Sequence, residues 1–150
     1  MPPNPYPARL HALIARQAMV IRRGPAERVA ACLRDMATDR VTLGQWLKGR
    51  IYERRAAISP DGRHWIYFAA THKHWEETGG TWTALARVPW LTALNLWAEG
   101  DAWSGGGGFM GRHTHWLNGG RGAMTGASRL AVAVAKSPLG AQRNKECLGI

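Results

Sequence analysis

The sequence contains little cysteine and no long apolar segment. Its two cysteines, Cys32 and Cys147, are too few for a disulfide framework or a multi-cysteine zinc site, and their scarcity suits a reducing compartment. The longest apolar run late in the chain, residues 130–135, is far too short to span a bilayer. The proline-rich start lacks the apolar core of a secretion signal. These absences together predict a cytoplasmic protein with no membrane segment.

Lysine and acidic residues are also scarce, so arginine dominates the charge of this basic protein. Only four of the 20 basic residues are lysines, and 10 acidic residues leave a formal net charge of +10. Guanidinium groups bind phosphate and carboxylate oxygens, which would suit acidic partners. The alternative is that a GC-rich coding sequence produced the arginine, because the basic residues are scattered and no run of five like charges occurs. The second explanation is favoured.

Short apolar segments separated by turn residues are the main positive feature of the sequence. The clearest pair covers residues 51–70 and turns at Ser59-Pro60-Asp61-Gly62. In such a turn proline presets φ, aspartate bonds its own backbone and glycine adopts the positive φ that the reversal needs. This segment is therefore predicted to be a β-hairpin.

Similar patterns predict two more hairpins, at residues 18–33 and 82–97, and one further strand at residues 115–117. Each predicted hairpin contains a proline that lies eight positions before an apolar residue, and this recurring spacing is a weak sign of an internal repeat. The predicted fold class is all-β, with antiparallel hairpins in a partial β-propeller-like or stacked-sheet arrangement. A simple meander of short strands is the alternative.

Three segments are predicted along the chain. Residues 1–9 form a disordered lead-in, residues 10–118 form the β-repeat domain, and residues 119–150 form a poorly ordered C-terminal tail. Residues 10–16 fit either a short helix or a strand. The tail has three interpretations, namely a disordered segment, a poorly packed extension or the product of a shifted reading frame. The glycines at 105–108 lack the Lys-Ser/Thr of a phosphate loop and are interpreted as a flexible connection.

The sequence around the central hairpin resembles known proteins. Residues 49–55 (Gly-Arg-Ile-Tyr-Glu-Arg-Arg), the Ser59-Pro60-Asp61-Gly62 turn and residues 66–70 (Ile-Tyr-Phe-Ala-Ala) look like a group of uncharacterised bacterial proteins, and the similarity extends over residues 18–109. The turn is also similar to the WD40-like repeats of TolB-type propellers, where it connects strands within a blade. The resemblance implies a β-rich, propeller-like fold. It implies no activity and no catalytic residue.

Histidines form a cluster that suggests a metal site. His72 and His74, and likewise His113 and His115, are His-x-His pairs, and this spacing on a strand points both rings to one face. Two such pairs meeting in space would surround Zn²⁺ or Cu²⁺ with imidazole nitrogens. The favoured alternative places the first pair in a loop, with no metal bound. No cofactor is therefore predicted.

Tryptophan is unusually frequent, and its eight positions divide into two groups. Trp65, Trp82 and Trp97 lie in predicted strands and are expected in the core. Trp75, Trp90 and Trp103 lie near loops, where an aromatic face beside an arginine is able to stack on a base or a sugar. The candidate binding residues are therefore Arg54, Arg55, Trp75, Arg87, Trp90 and Trp103.

No motif assembles an active site. Glu76 and Glu77 are expected to be a solvated pair, and Ser59 lies in a turn without a nucleophile elbow. The prediction is a non-catalytic β-repeat module that binds a protein partner, with closure of exposed sheet edges by that partner or by self-association. The alternative is a nucleic-acid-binding protein that uses arginine and tryptophan. A small metal-dependent enzyme is the third and least favoured class.

Overall fold

The chain forms β-strands in almost every part that the structure describes. This computed structural model describes residues 8–12, 16–71, 79–118, 123–125 and 133–134. Within those ranges there are three sheets, one 3-10 turn and no α-helix, and nearly all strand pairs are antiparallel. The predicted all-β fold of antiparallel hairpins is therefore confirmed. No helix in these ranges is long and apolar enough to cross a membrane.

The first sheet is an antiparallel meander with its strands in chain order. The first predicted hairpin is confirmed here, with its turn at residues 24–27. β1 begins at Ala8, so residues 8 and 9 of the expected lead-in belong to a strand. Residues 10–16 fit either a helix or a strand by sequence, and residues 10–12 form a strand. The strands are β1 Ala8–Ala12, β2 Gln17–Arg23, β3 Arg28–Asp35 and β4 Val41–Lys48.

The central sheet contains the second and third predicted hairpins, and both are confirmed. Its order is β12-β9-β8-β7-β5, and β6 also pairs with β7. The third sheet has the order β10-β11-β13, in which β11 and β13 are parallel. The central strands are β5 Arg50–Ile51, β6 Ala57–Ile58, β7 His64–Ala70, β8 Thr81–Arg87, β9 Ala93–Ala98 and β12 Ala123–Thr125; the third sheet has β10 Gly107–Phe109, β11 Thr114–Leu117 and β13 Ala133–Val134.

The three sheets stack as layers, with the central sheet covered on both faces. On one face, Trp65 and Tyr67 of β7 pack with Met19 and Ile21 of β2 in a buried cluster. The opposite face forms a second buried cluster, whose members are Ile66, Leu85, Trp97 and Leu117. A strand buried on both faces is apolar at consecutive positions, which explains the uninterrupted run in β7. Trp65, Trp82 and Trp97 are all buried, as predicted.

Two local predictions differ from the structure. The expected strand over residues 51–58 is interrupted by a 3-10 turn at Glu53–Arg55, because three consecutive charged side chains do not fit a strand buried on both faces. The predicted flexible glycine connection is instead closely packed. A Cβ on Gly105 would lie 2.2 Å from a ring carbon of Phe68, and one on Gly106 2.4 Å from the Arg55 carbonyl oxygen.

The two ends of the chain are described only in part. The first seven residues of the predicted lead-in lie outside the described ranges. The predicted tail contributes the backbones of β12 and β13, and its other residues are not described. The interpretations of the tail therefore stay predictions.

Candidate binding surfaces

The most exposed apolar strand surface lies on β4, at the edge of the first sheet. Among the described strands β4 pairs with β3 alone, so its other edge carries no neighbouring strand. Val41, Leu43 and Trp46 are 59%, 53% and 49% exposed. These three residues are named the β4 surface below. Sheet edges of natural proteins are usually protected by charge, proline, a β-bulge or a covering segment, and residues 41–47 contain no charged residue and no proline.

A β-bulge places the three side chains on one face. Cross-strand partners are Arg34 with Val41, Cys32 with Leu43 and Ala30 with Trp46, and the register shifts between Ala30 and Cys32. Two residues of β4 thus lie opposite one of β3, so that Leu43 and Trp46, three positions apart, point the same way. Neighbouring residues of β3 point instead into the cluster with the central sheet. The β4 surface therefore faces away from the core.

Side-chain contacts hold β4 in position. The Gln45 Oε1 atom accepts hydrogen bonds from the backbone amides of Leu91 at 2.6 Å and Thr92 at 2.9 Å, which ties β4 to the β8–β9 turn. The Trp46 indole lies so close to Gly24 that a Cβ there would come within 2.9 Å of its Cζ3 atom. The apolar side chains are thus presented by a strand that is anchored on its inner side.

Positive charge accompanies the β4 surface. Arg22 of β2 pairs with Ala30, which itself pairs with Trp46, so Arg22 lies in the same cross-strand row of the sheet. It is exposed, and neither ion pair between described residues involves it. Arg34 stands beside Val41, with its guanidinium bound to Asp39 at 2.9 Å through Nε. The apolar surface therefore adjoins an available cation.

The predicted arginine and tryptophan residues come together as two pairs. Arg55 Nη1 donates to the carbonyl oxygens of Ala102 at 2.7 Å and Ser104 at 3.3 Å, on either side of Trp103, which is 89% exposed. In the β8–β9 turn, the Trp90 amide donates to the Arg87 carbonyl oxygen at 2.6 Å. Trp90 is 45% exposed, and Arg54 and Arg87 are also exposed. Trp75 lies outside the described residues.

Arg55 has a structural role that limits its use in binding. Besides the two carbonyls, its guanidinium lies over the Phe68 ring with Cζ 5.1 Å from the centroid. The two carbonyl contacts use the N–H donors of Nη1 and do not involve Nε or Nη2, so Arg55 is only partly committed to this role. The contacts explain why the loop around Trp103 is held against the central sheet.

The second histidine pair does not form a two-imidazole face. His113 is exposed in the turn before β11, whereas His115 is fully buried beside the rings of Trp97 and Phe109. Burial lowers the pKa of His115 to about 4. His72 and His74 lie outside the described residues, so the proposed four-histidine site stays a prediction. No group of three or more His, Cys, Asp or Glu side chains in the described part of the chain is arranged to hold a metal ion.

Comparison with known proteins finds no matching family model, no matching curated protein and no matching solved structure. The resemblance to uncharacterised bacterial proteins and TolB-type propellers therefore stays a prediction.

Proposed function

We propose that this chain is a non-catalytic β-sheet module that binds a protein partner through the β4 surface. The observation that carries the proposal is an edge strand whose three large apolar side chains, Val41, Leu43 and Trp46, are each about half exposed. Contiguous exposed apolar groups on a sheet edge mark interaction sites or aggregation sites. The anchoring of β4 by Gln45 supports an interaction site, because a pre-ordered strand loses less entropy on binding.

The partner that fits is an extended acidic segment that adds a strand to β4. Strand addition satisfies the open backbone edge, and alternate side chains of the added strand lie over the exposed face. Arg22 lies in the same row as Trp46, and the whole chain carries a formal net charge of +10. A segment alternating apolar and acidic residues would therefore place its apolar side chains beside the β4 surface, while its overall negative charge matches the positive net charge of the chain.

Nucleic-acid binding is supported less well. Its candidate residues include Arg55, whose guanidinium is engaged by two carbonyl oxygens and the Phe68 ring. The exposed indole of Trp103 remains a stacking surface, so this alternative has a clear test in a Trp103 variant.

The proposal is tested with a fluorescein-labelled peptide of about ten residues that alternates valine and glutamate, a length that suits one added strand. We expect saturable binding by fluorescence anisotropy and slower amide exchange in Val41–Lys48. The Leu43→Glu variant removes an apolar contact and repels the peptide, so its Kd should rise about tenfold or more. Met110→Glu is the matched control, because it makes the same charge change at an exposed residue of the β10–β11 turn; its Kd should be unchanged.

Several outcomes would overturn the proposal. These are absent binding, equal weakening by Leu43→Glu and Met110→Glu, or equal affinity for a valine–lysine peptide. Sedimentation showing a dimer that Leu43→Glu dissociates would mean that a second copy covers the β4 surface. Binding of a single-stranded oligonucleotide that is lost in Trp103→Ala, with no binding of the peptide, would favour the nucleic-acid alternative.

A further inference from the structure

A cavity of about 470 Å³ opens where the first and central sheets meet at one end of the stack. It is bounded by the β2–β3 turn on one side and by β5 and the facing ends of β7 and β8 on the other. Concave sites between packed layers are common positions for small ligands. The cavity is separate from the β4 surface, since Val41, Leu43 and Trp46 do not line it.

The charged residues around the cavity are mostly basic. Arg23, Arg28 and Arg50 line it together with a single carboxylate, Glu27, which leaves a formal excess of two positive charges. A phosphate monoester carries roughly −1.5 to −2 at neutral pH. The lining is therefore opposite in sign to a phosphate monoester, and its excess is smaller than two where Arg23 is paired with Glu53.

Two of the arginines are available to an anion. Of the two ion pairs between described residues, one joins Arg23 to Glu53 at 3.4 Å, and neither involves Arg28 or Arg50. The Arg50 guanidinium lies over the Tyr52 ring, with Cζ 4.5 Å from its centroid. This contact orients the guanidinium and leaves its N–H donors, which lie in the plane of the guanidinium group, free for oxygen ligands.

The floor of the cavity is apolar and the volume exceeds the needs of a single phosphate. Tyr52 and Ala70 line it and are part-exposed, whereas the lining residues Val29 and Ile51 are almost completely buried. A cavity of about 470 Å³ falls within the range of pockets that hold small organic ligands. A ligand that fills it would thus have a phosphate at the arginines and an organic body over the floor.

The turn beside the cavity has an unusual backbone. Its central residues, Ala26 and Glu27, have φ values of 56° and 58°, in the left-handed region that side chains with a Cβ disfavour. Turns of this kind ordinarily use Asn-Gly. The Arg28 amide closes the turn on the Pro25 carbonyl at 3.3 Å, which fixes the start of β3 and so the position of Arg28. Such strain is typical of segments that position functional side chains.

We propose that this cavity binds an organic phosphate of about mononucleotide size, with its phosphate held by Arg28 and Arg50 and its body against Tyr52 and Ala70. The site is independent of the proposed peptide surface. It extends the proposed function by adding a small-molecule ligand at the β2–β3 turn end of the first sheet, where the sheet meets β5.

The test is calorimetry on the full chain with three probes: adenosine 5′-monophosphate, inorganic phosphate and adenosine. We expect the monophosphate to bind most tightly, because it alone supplies both phosphate and body. Arg28→Gln and Arg50→Gln should each raise its Kd about tenfold or more, since each removes a charged donor. Arg112→Gln is the matched control, because Arg112 carries the same charge at an exposed position of the β10–β11 turn and does not line the cavity; the Kd of this variant should be unchanged.

Three outcomes would overturn this proposal. The first is no heat with any probe, and the second is equal weakening by Arg112→Gln, which would indicate nonspecific attraction to a basic chain. The third is equal affinity for adenosine and its monophosphate, which would remove the arginines from the site. Circular dichroism and the melting temperature of each variant establish that it is folded. Because Leu43→Glu should leave monophosphate binding unchanged, failure of this site and failure of the peptide surface are distinguishable.

Discussion

The two interfaces of the central sheet differ in whether the buried nitrogen and oxygen atoms of their aromatic side chains have hydrogen-bond partners. Toward the first sheet, the Trp65 Nε1–H donates to the Trp90 carbonyl oxygen at 2.9 Å, and the Tyr67 hydroxyl donates to the Leu91 carbonyl oxygen at 2.5 Å. Toward the third sheet, the Trp97 Nε1 and both ring nitrogens of His115 are buried without a hydrogen-bond partner. The first interface is thus satisfied, and the second leaves three polar atoms unsatisfied.

This difference indicates which contacts hold each of the two interfaces in place. Hydrogen bonds from Trp65 and Tyr67 fix the β8–β9 turn, and the same turn holds β4 through Gln45. Each buried polar atom without a partner costs on the order of 1–3 kcal/mol. The interface with the third sheet has one buried hydrogen bond, from the Gly106 amide to Thr83 Oγ1 at 2.8 Å, but its unpaired aromatic nitrogens give up part of that stability. Three experiments test the comparison, from the largest expected effect to the smallest.

The largest effect is expected from the protonation of His115. Burial lowers its pKa to about 4 from an ordinary 6.5, so the unfolded chain binds a proton in this range more readily than the folded chain does. The stabilisation is complete above pH 6.5 and is lost as the pH falls toward 4, by a total of about 3 kcal/mol. Urea unfolding across this range measures the loss. Burial also lowers the pKa of His64, with the same sign.

Replacing the two histidines separately isolates the effect. His115→Leu should remove most of the slope between pH 6.5 and 4, whereas His113→Leu, at an exposed position, should leave it intact. An unchanged slope in His115→Leu would show that the imidazole is not buried in its neutral form. The comparison of the two interfaces would then fail.

Removing the Tyr67 hydroxyl should weaken the satisfied interface. Tyr67→Phe retains the ring but leaves the Leu91 carbonyl oxygen without its donor, so we expect a loss of about 1.5 kcal/mol in the free energy of unfolding. Burial raises the pKa of this hydroxyl to about 12, so the loss should not vary with pH around neutrality. A stability equal to that of the parent chain would mean that the hydrogen bond contributes nothing to the interface.

The smallest effect is a difference between two matched tryptophans. Trp65→Phe and Trp97→Phe remove similar volume from fully buried positions, but only Trp65 has a bonded Nε1 atom. Trp65→Phe should therefore cost about 1 kcal/mol more than Trp97→Phe. Thermal unfolding of the two variants in parallel measures this difference. Equal losses, or a greater loss for Trp97→Phe, would contradict the assigned roles.

Local turn chemistry allowed much of the fold to be predicted from sequence. Ser59-Pro60-Asp61-Gly62 identified its hairpin, and strand placement identified the buried tryptophans. The turn at Ala26 and Glu27 was located, but its positive φ values were not expected, because neither residue type favours them. The β4 surface was missed because the residue spacing of Leu43 and Trp46 suggests opposite faces, and only the pairing with β3 reveals the bulge.

The candidate sites depend on long-range pairing that sequence does not show. The arginines of the cavity come from β2, the start of β3 and β5, which the layer stacking brings together. Of the predicted binding residues, the exposure of Trp90 and Trp103 agrees with expectation, because both lie in turns. The engagement of Arg55 by loop carbonyls was not predictable, since its acceptors lie 47 and 49 residues away.

The burial of β7 on both faces has a consequence for register slip. A strand with one apolar face resists a slip of one residue, because the slip would expose that face; β7 is apolar on both, so burial alone discriminates weakly. The adjoining turn supplies the discrimination. Ser59 Oγ donates to Asp61 Oδ1 at 2.6 Å and accepts from the His64 amide at 3.0 Å, so the first residue of β7 is fixed in place. This short turn thereby determines which side chains of the strand meet each neighbouring layer.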